Sequence, residues 1–272
     1  MRSKAHSRTE PDLFWTPASY EESELREALV DGGVAGVNSH DRVNVMWKLK
    51  RLCEGDTDSQ FGLTGVSGLP LQKVLSLVSD ASGIDPDPDI QHGLVVVDPE
   101  RVLRRCEAIG DRLALAAERG ERVLLATGHP TGVSLLYQEV GRLLAQSGAQ
   151  LLRPLEGTTW HDRRGRRRQI RYFVGVAMIT DRGSALHTHS PEAMERMIAE
   201  ERPDLVFADH GLAGAAIEAG IDTVAVADVN DPALVVAHHQ GRSGPTVVMD
   251  DNVQPESYWP CFQAIASRFP SP

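Results

Sequence analysis

Three consecutive units near the C-terminus repeat one order of elements, and this repetition constrains the fold more than any other feature. Each unit begins with a short apolar run that ends in an aspartate, and the runs are 204–209, 222–228 and 246–250. The first two runs lead into small-residue helical patterns. Continuous apolar runs that alternate with helices are typical of a parallel sheet covered on both faces. The repeats therefore predict an α/β fold with a mostly parallel, Rossmann-like three-layer sheet.

An earlier stretch fits the same sheet. The apolar run 123–126 ends in the loop Thr-Gly-His-Pro-Thr-Gly at 127–132, and a helical pattern begins at Val133. A strand that feeds a glycine-bearing loop into a helix N-terminus can bind anions through its N–H groups and the helix dipole. The candidate phosphate-binding residues are Thr127, Gly128, Thr131 and Gly132. A purely structural strand–helix turn explains the glycines nearly as well.

The first ninety residues have a different sequence pattern, with helical periodicity in place of the continuous apolar runs. Helical patterns occur at 21–30, 41–53 and 69–78, and residues 1–19 are polar and irregular, which predicts a loose arm. The Asp- and Pro-rich run 84–89 cannot continue a helix and predicts a linker or sharp turn. We therefore expect a helical N-terminal region over 1–90, not clearly independent, and an α/β domain over 91–272 that carries the site.

Residues 158–180 interrupt the alternation of strands and helices. Two extended segments flank a polar turn at 162–166, and the apolar alternation over 170–176 is typical of a strand. The pattern predicts an inserted β-hairpin with a basic tip. Its arginines are Arg163, Arg164, Arg166, Arg167, Arg168 and Arg171. A solvated tip is the simpler interpretation, and attraction of an anionic substrate or of RNA is the alternative.

Charge and cysteine content narrow the class of protein. A formal net charge of -10 argues against a general nucleic-acid binder. The three cysteines are scattered, which favours reduced thiols in a cytoplasmic protein over a disulfide framework. The chain has no apolar run near the roughly 20 residues that span a bilayer, and its polar first ten residues lack a signal-peptide core. We expect a cytoplasmic protein without membrane contacts.

The acids at the predicted strand ends are the strongest chemical signal. Asp209, Asp228 and Asp250 occupy equivalent positions, and neighbouring strands lie about 5 Å apart, so these carboxylates can share a divalent cation. Oxygen ligands favour Mg²⁺ or Mn²⁺ over Zn²⁺. Asp251 and Asn252 are alternatives to Asp250, because periodicity cannot choose among them. Helix capping is the alternative role for each acid.

Histidines in predicted loops are the second signal. His187 and His189 point the same way if their segment is extended, which suits metal binding or proton transfer, although such a pair more often lies exposed on a protein surface without either role. His129 lies in the glycine loop and His210 directly follows Asp209. The candidate catalytic residues are His210, His189 and His129.

Three of these segments also carry a family resemblance. The sequences at 126–132, 207–233 and 247–252 resemble an actinobacterial family described broadly as phosphatases, over about residues 20–265. Residues 250–252 are also similar to the Asp/Asn site of metal-dependent carbohydrate phosphatases. The DxDx[TV] motif of haloacid-dehalogenase phosphatases is absent from the sequence, so the resemblance does not imply a covalent aspartyl-phosphate.

These observations converge on a metal-dependent phosphatase, a phosphoric monoester hydrolase whose partner is a small phosphorylated metabolite. Two alternatives use the same cleft: a sugar-phosphate or nucleotide sensor without turnover, and a phosphosugar isomerase or lyase. The glycine loop lacks the GxxxxGK[ST] and GxGxxG patterns, which disfavours a nucleoside triphosphatase and a nicotinamide oxidoreductase. No nucleic acid is expected as a partner, and a homo-oligomer remains open.

Overall fold

The computed structural model describes residues 14–270, so most of the predicted N-terminal arm lies outside the described residues. The helices are α1 (Glu22–Asp31), α2 (Arg42–Cys53), α3 (Leu71–Ser82), α4 (Pro99–Glu118), α5 (Ser134–Gln146), α6 (Glu192–Glu200), α7 (His210–Glu218), α8 (Pro232–His239) and α9 (Trp259–Ala266). The strands are β1 (Gly36–Val37), β2 (Val96–Val97), β3 (Arg122–Ala126), β4 (Gln150–Leu151), β5 (Thr159–His161), β6 (Arg167–Phe173), β7 (Val176–Asp181), β8 (Ser184–Ala185), β9 (Leu205–Asp209), β10 (Asp222–Ala227) and β11 (Thr246–Val248).

One sheet organises the molecule. Its strand order is β11-β10-β9-β3-β7-β6-β5, with β4 beside β3 and β8 beside β7. Strands β11, β10, β9, β3 and β7 are parallel, whereas β7, β6 and β5 pair antiparallel. All five residues of β9 are buried, and because successive side chains point to opposite faces, both faces of the sheet are covered. The predicted α/β fold with a mostly parallel sheet is confirmed.

The helices form two groups that contact this sheet. Helices α4, α5 and α9 pack on one another, and α7 and α8 pack together with α2, α3 and α6. Leu49 of α2 and Leu75 of α3 are fully buried in the same hydrophobic cluster as the central strands. The small β1–β2 ladder joins Val37 to Val96, across the sequence position where we placed the domain boundary.

Helix starts follow their capping residues. The Asp98 carboxylate accepts a hydrogen bond from the Glu100 N–H, and Pro99 occupies the first position of α4, where its missing N–H leaves no helical hydrogen bond unmade. The Asp41 carboxylate caps α2 in the same way. Every helix within residues 14–270 is too short or too polar to cross a bilayer.

The predicted hairpin is confirmed, with one correction at the end of its second strand, β6. Strands β5 and β6 pair antiparallel around a tip at 162–166, and the hairpin extends the main sheet at the β5 edge. The alternation over 170–176 is not one strand, because the chain turns at Val174 and Gly175, where φ is +49° and +85°. Two positive φ angles are what a tight hairpin turn requires.

Candidate functional site

Buried acids gather where the parallel strands end. Asp209 ends β9, Asp228 directly follows β10, and Asp250 and Asp251 lie just after β11. Each of these side chains is 2% exposed or less. The strands are parallel, so their carboxyl ends meet at one edge, and the structure brings the predicted acids together. Asn252 is exposed, and its N–H donates to Asp250 at 3.1 Å.

His210 lies at the centre of this cluster. Its Nδ1 is 3.2 Å from Asp209 Oδ1, and its Nε2 is 3.1 Å from Asp231 Oδ2 and 3.5 Å from Asp251 Oδ2. Burial disfavours a charged imidazole, but the Asp231 charge and hydrogen bonds to Asp209 and Asp231 outweigh it and raise the pKa of His210 well above its ordinary value. His210 also has a φ of +45°, a left-handed conformation that is uncommon for a non-glycine residue.

Asp209 is held by the glycine loop. Thr127 Oγ1 donates to Asp209 Oδ2 at 2.5 Å, and the Gly128 N–H donates to Asp209 Oδ1 at 2.6 Å. Burial opposes ionisation, but these bonds and the neighbouring His210 charge lower the pKa of Asp209. Two of the donors expected to bind phosphate, the Thr127 hydroxyl and the Gly128 N–H, therefore donate to Asp209. A carboxylate that fixes one ring nitrogen leaves the other to face a metal, the usual support for a histidine ligand.

The remaining loop residues occupy two environments. Thr131 is exposed at the rim, and its predicted contact with phosphate stays a prediction. Gly132 is buried against the turn after β11, where an added Cβ would lie 2.1 Å from the Asp251 carbonyl oxygen. A glycine is required there because the two backbones touch.

Four histidine rings form a compact cluster beside the acids. His129 stacks on His187 with ring centroids 4.1 Å apart, and His189 stacks on His210 at 4.7 Å. The Thr188 N–H donates to the Gly128 carbonyl at 3.0 Å, which places the predicted histidine pair over the end of β3. The candidate catalytic residues thus come together.

The two histidines of the pair are neutral. Burial, with the neighbouring charges of His129 and His210, lowers the pKa of His187 to about 4. Burial and the His210 charge lower the pKa of His189 to about 3. Each neutral ring keeps one nitrogen lone pair for a metal ion or a proton.

Residues 38–40 of the N-terminal region contact Asp228 and Asp250. Asn38 Nδ2 donates to Asp228 Oδ1 at 3.1 Å, and His40 Nε2 lies 3.4 Å from Asp228 Oδ2. The Ser39 N–H donates to Asp250 Oδ2 at 2.9 Å. Burial and the nearby acids raise the pKa of Asp228 to about 7. The sequence offered no signal for these contacts, because residues 38–40 lie in an irregular segment between two helices.

Asp231 is a second residue that sequence reasoning missed. The run Asn-Asp-Pro at 230–232 is typical of a helix start, and Pro232 does begin α8. The Asp231 side chain makes no capping bond and turns to His210 instead. Burial opposes ionisation, but the His210 charge lowers the pKa of Asp231 to about 2.

The cluster contains three overlapping groups of three residues, and within each group the ligand atoms lie within 4.8 Å of one another. These groups are His129–His187–His210, His210–Asp231–Asp251 and Asp228–Asp250–Asp251. Asp228 Oδ2 and Asp251 Oδ2 are buried and have no hydrogen-bond partner in the part of the chain that the structure describes. Histidine nitrogens lie 3.4 Å from Asp228 Oδ2 and 3.0 and 3.5 Å from Asp251 Oδ2, and several buried carboxylates packed together are costly unless a cation compensates their charge. The residues present therefore fit a divalent cation, with Asp209 outside the three groups.

Two comparisons with known proteins agree with the resemblance of the motifs. A family model described as Phosphatase matches residues 20–270. A curated protein from Streptomyces coelicolor, named Phosphatase SCO2771, is 34% identical over 250 residues, which cover 89% of this chain and 94% of that relative. The similarity includes every segment that contributes to the cluster.

Proposed function

The chain belongs to the Phosphatase family, and we propose that it hydrolyses phosphate monoesters of small metabolites with a divalent cation held at the strand-end cluster. The observation that carries this proposal is the meeting of Asp228, Asp250 and Asp251, whose ligand atoms lie within 4.8 Å of one another, while Asp228 Oδ2 and Asp251 Oδ2 accept no hydrogen bond among residues 14–270. A cation bound there would stabilise charge on the phosphoryl oxygens and favour deprotonation of an attacking water.

The ligand groups overlap at Asp251. This residue belongs to one group with His210 and Asp231 and to another with Asp228 and Asp250. His129 Nδ1 is also 3.0 Å from Asp251 Oδ2. The set has enough donors to hold more than one divalent cation, and two-metal sites occur among phosphatases. Mixed imidazole and carboxylate donors suit Mn²⁺, Fe²⁺ or Zn²⁺ as well as Mg²⁺.

His189 is our choice for proton transfer. It lies outside the three ligand groups found among residues 14–270, and its ring stacks on His210. It also lines a cavity of about 780 Å³ together with His187, a member of one ligand group. His210 is less suited to this task, because both ring nitrogens face carboxylates and the residue is only 2% exposed.

The Lys48 side chain brings a positive charge near His189 and Asp231. The Lys48 ammonium lies close enough to contribute, after burial and the His210 charge, to the lowered pKa of both His189 and Asp231. Lys48 is partly exposed on α2. Its charge can attract a substrate phosphate that the acids alone would repel.

The test is release of inorganic phosphate from a panel of phosphate monoesters in the presence of Mn²⁺ or Mg²⁺. Wild type should release phosphate, and His189→Gln, which removes a neutral ring that can accept a proton, should lower kcat by about 10²- to 10⁴-fold, the usual contribution of a general base. Bound metal should be unchanged in that variant. His161→Gln is the matched control, because His161 is exposed on β5.

Two results would contradict the proposal. Ligand-induced thermal stabilisation without any phosphate release would favour the sensor. Conversion of a phosphosugar with its phosphate retained would favour an isomerase or lyase.

A further inference from the structure

The cavity beside the histidines is larger than a phosphate group needs. Its volume is about 780 Å³, and it runs from residues 187–189 to the tip of the β5–β6 hairpin. Sites for small molecules usually have volumes of about 300–1,000 Å³. The cavity therefore has room for the whole of a small metabolite whose phosphate reaches the histidines.

Four arginines of the hairpin line the far wall of this cavity: Arg163, Arg164, Arg166 and Arg168. Asp162 pairs with Arg166 and Arg168, each at 3.0 Å, and accepts the backbone N–H groups of Arg164 and Arg166 at 2.9 Å. This single carboxylate fixes the tip. Arg163 and Arg164 are exposed, and within residues 14–270 neither has a carboxylate at ion-pair distance. The guanidinium groups of Arg163 and Arg164 are therefore available to bind an anionic group of a ligand.

Acidic residues line other parts of the cavity and limit what can bind. Asp58, Glu192 and Glu195 lie on its walls, and Glu192 pairs with Arg196 at 2.9 Å. A uniformly charged polyanion would meet these acids along its length. A compact ligand with one anionic group near the histidines and another at the hairpin tip would avoid these acids. The formal net charge of -10 also disfavours a long nucleic acid.

We propose that Arg163 and Arg164 bind a second anionic group of the substrate, so that the preferred substrates are small phosphate esters that also carry a carboxylate or another phosphate. Guanidinium groups suit both because they bind planar oxygen pairs bidentately. The inference rests on the proposed phosphatase function, since it concerns the part of the substrate that is not hydrolysed.

The experiment compares matched substrates that differ in one anionic group. The pairs are fructose 1,6-bisphosphate with fructose 6-phosphate, and 3-phosphoglycerate with glycerol 3-phosphate. p-Nitrophenyl phosphate has no second carboxylate or phosphate, so its hydrolysis measures catalysis without the proposed second contact. The test variant is Arg163→Gln/Arg164→Gln. The control is Arg171→Gln/Arg182→Gln, which removes equal charge from exposed positions outside the cavity.

Wild type and control should prefer the more anionic member of at least one pair by about tenfold in kcat/KM, the effect of a charged hydrogen bond. The test variant should lose this preference, mainly through KM, while kcat/KM for p-nitrophenyl phosphate changes less than about twofold. Binding should follow the same order when thermal stabilisation by each substrate is measured.

Different failures identify different errors. Hydrolysis of p-nitrophenyl phosphate without any preference in wild type, or with a preference that survives in the test variant, would overturn the inference and leave the proposed function intact. If no ester releases phosphate, the proposed function fails, and stabilisation by the bisphosphate that only the test variant loses would still support the anion site. Tight, salt-sensitive binding of single-stranded RNA that the test variant loses would overturn the inference in favour of RNA.

Discussion

The two halves of the sheet place polar residues in opposite ways. In the half formed by β11, β10, β9 and β3, parallel strands bring residues that are distant in sequence to one edge, where they are buried and held by several partners. In the half formed by β7, β6 and β5, the charged residues are close in sequence and mostly exposed at a hairpin tip. The parallel half suits chemistry, because its groups are fixed. The antiparallel half suits recognition, because its arginines can adapt to a ligand.

The largest effect should come from Asp251→Asn. Asp251 is shared by two ligand groups, so its loss weakens both. We expect phosphatase activity to fall by about 10³-fold, which corresponds to about 4 kcal/mol of transition-state stabilisation. Metal content should fall with it, as measured by elemental analysis of the purified variant.

Asp204→Asn is the matched control for that variant. Asp204 lies at the opposite end of β9, where its exposed carboxylate pairs with Arg122 at 3.1 Å. Its substitution should leave both metal content and activity unchanged. Equal losses in the two variants would mean that acidity in general, and not the strand-end cluster, supports the activity.

Asp209→Asn should have an intermediate effect. Asp209 orients His210 and lies outside the ligand groups, so we expect Mn²⁺ affinity to fall by about 10- to 100-fold, as is typical when the partner of a histidine ligand is removed. Calorimetric titration of Mn²⁺ gives the affinity. Thr127→Val should shift it in the same direction by less. A complete loss of binding, equal to that of Asp251→Asn, would instead identify Asp209 as a ligand.

Two glycine substitutions compare the rigidity of the two halves. Gly132→Ala places a Cβ 2.1 Å from the Asp251 carbonyl oxygen and should lower the free energy of unfolding by about 1–3 kcal/mol, because backbone must move. Gly165→Ala at the hairpin tip has open space around it and should cost about 1 kcal/mol, from its φ of +71° alone. Urea unfolding measures both. An unweakened metal site in Gly132→Ala would show that the close contact does not position Asp251.

The smallest effect should come from Asp162→Asn. This change weakens the ion pairs to Arg166 and Arg168 but retains an oxygen for the backbone N–H groups of the tip. The pair with Arg166 is partly exposed and contributes little, whereas the pair with Arg168 is largely buried, so we expect KM for fructose 1,6-bisphosphate to fall by only about twofold as the arginines are released. Steady-state kinetics on that substrate and on p-nitrophenyl phosphate measure the change. A large fall in kcat on p-nitrophenyl phosphate would place the hairpin in the catalytic machinery.

Local pattern predicted the sheet and the meeting of its acids. The repeated units predicted where the strands end. The parallel order of β9, β10 and β11 then brings Asp209, Asp228 and Asp250 to the same edge of the sheet. The turn at Val174 and Gly175 was missed because apolar alternation continues across it. A period of two does not reveal a tight turn that contains a single glycine.

The roles of individual side chains could not be predicted in the same way. Asp209 and Asp251 both lie at strand ends, yet Asp209 accepts hydrogen bonds from the glycine loop, whereas Asp251 Oδ2 accepts none within residues 14–270 and faces His129 and His210. That difference depends on side-chain direction and on neighbours from other strands. Asn38 reaches Asp228 across 190 positions of sequence, a contact that no local pattern encodes.

The most direct test of the account is a metal titration of the wild-type protein followed by phosphate release. Chelation should remove a stoichiometric divalent cation and abolish hydrolysis, and added Mn²⁺ or Mg²⁺ should restore both binding and activity. Full hydrolysis by protein that elemental analysis shows to be free of metal would contradict the account.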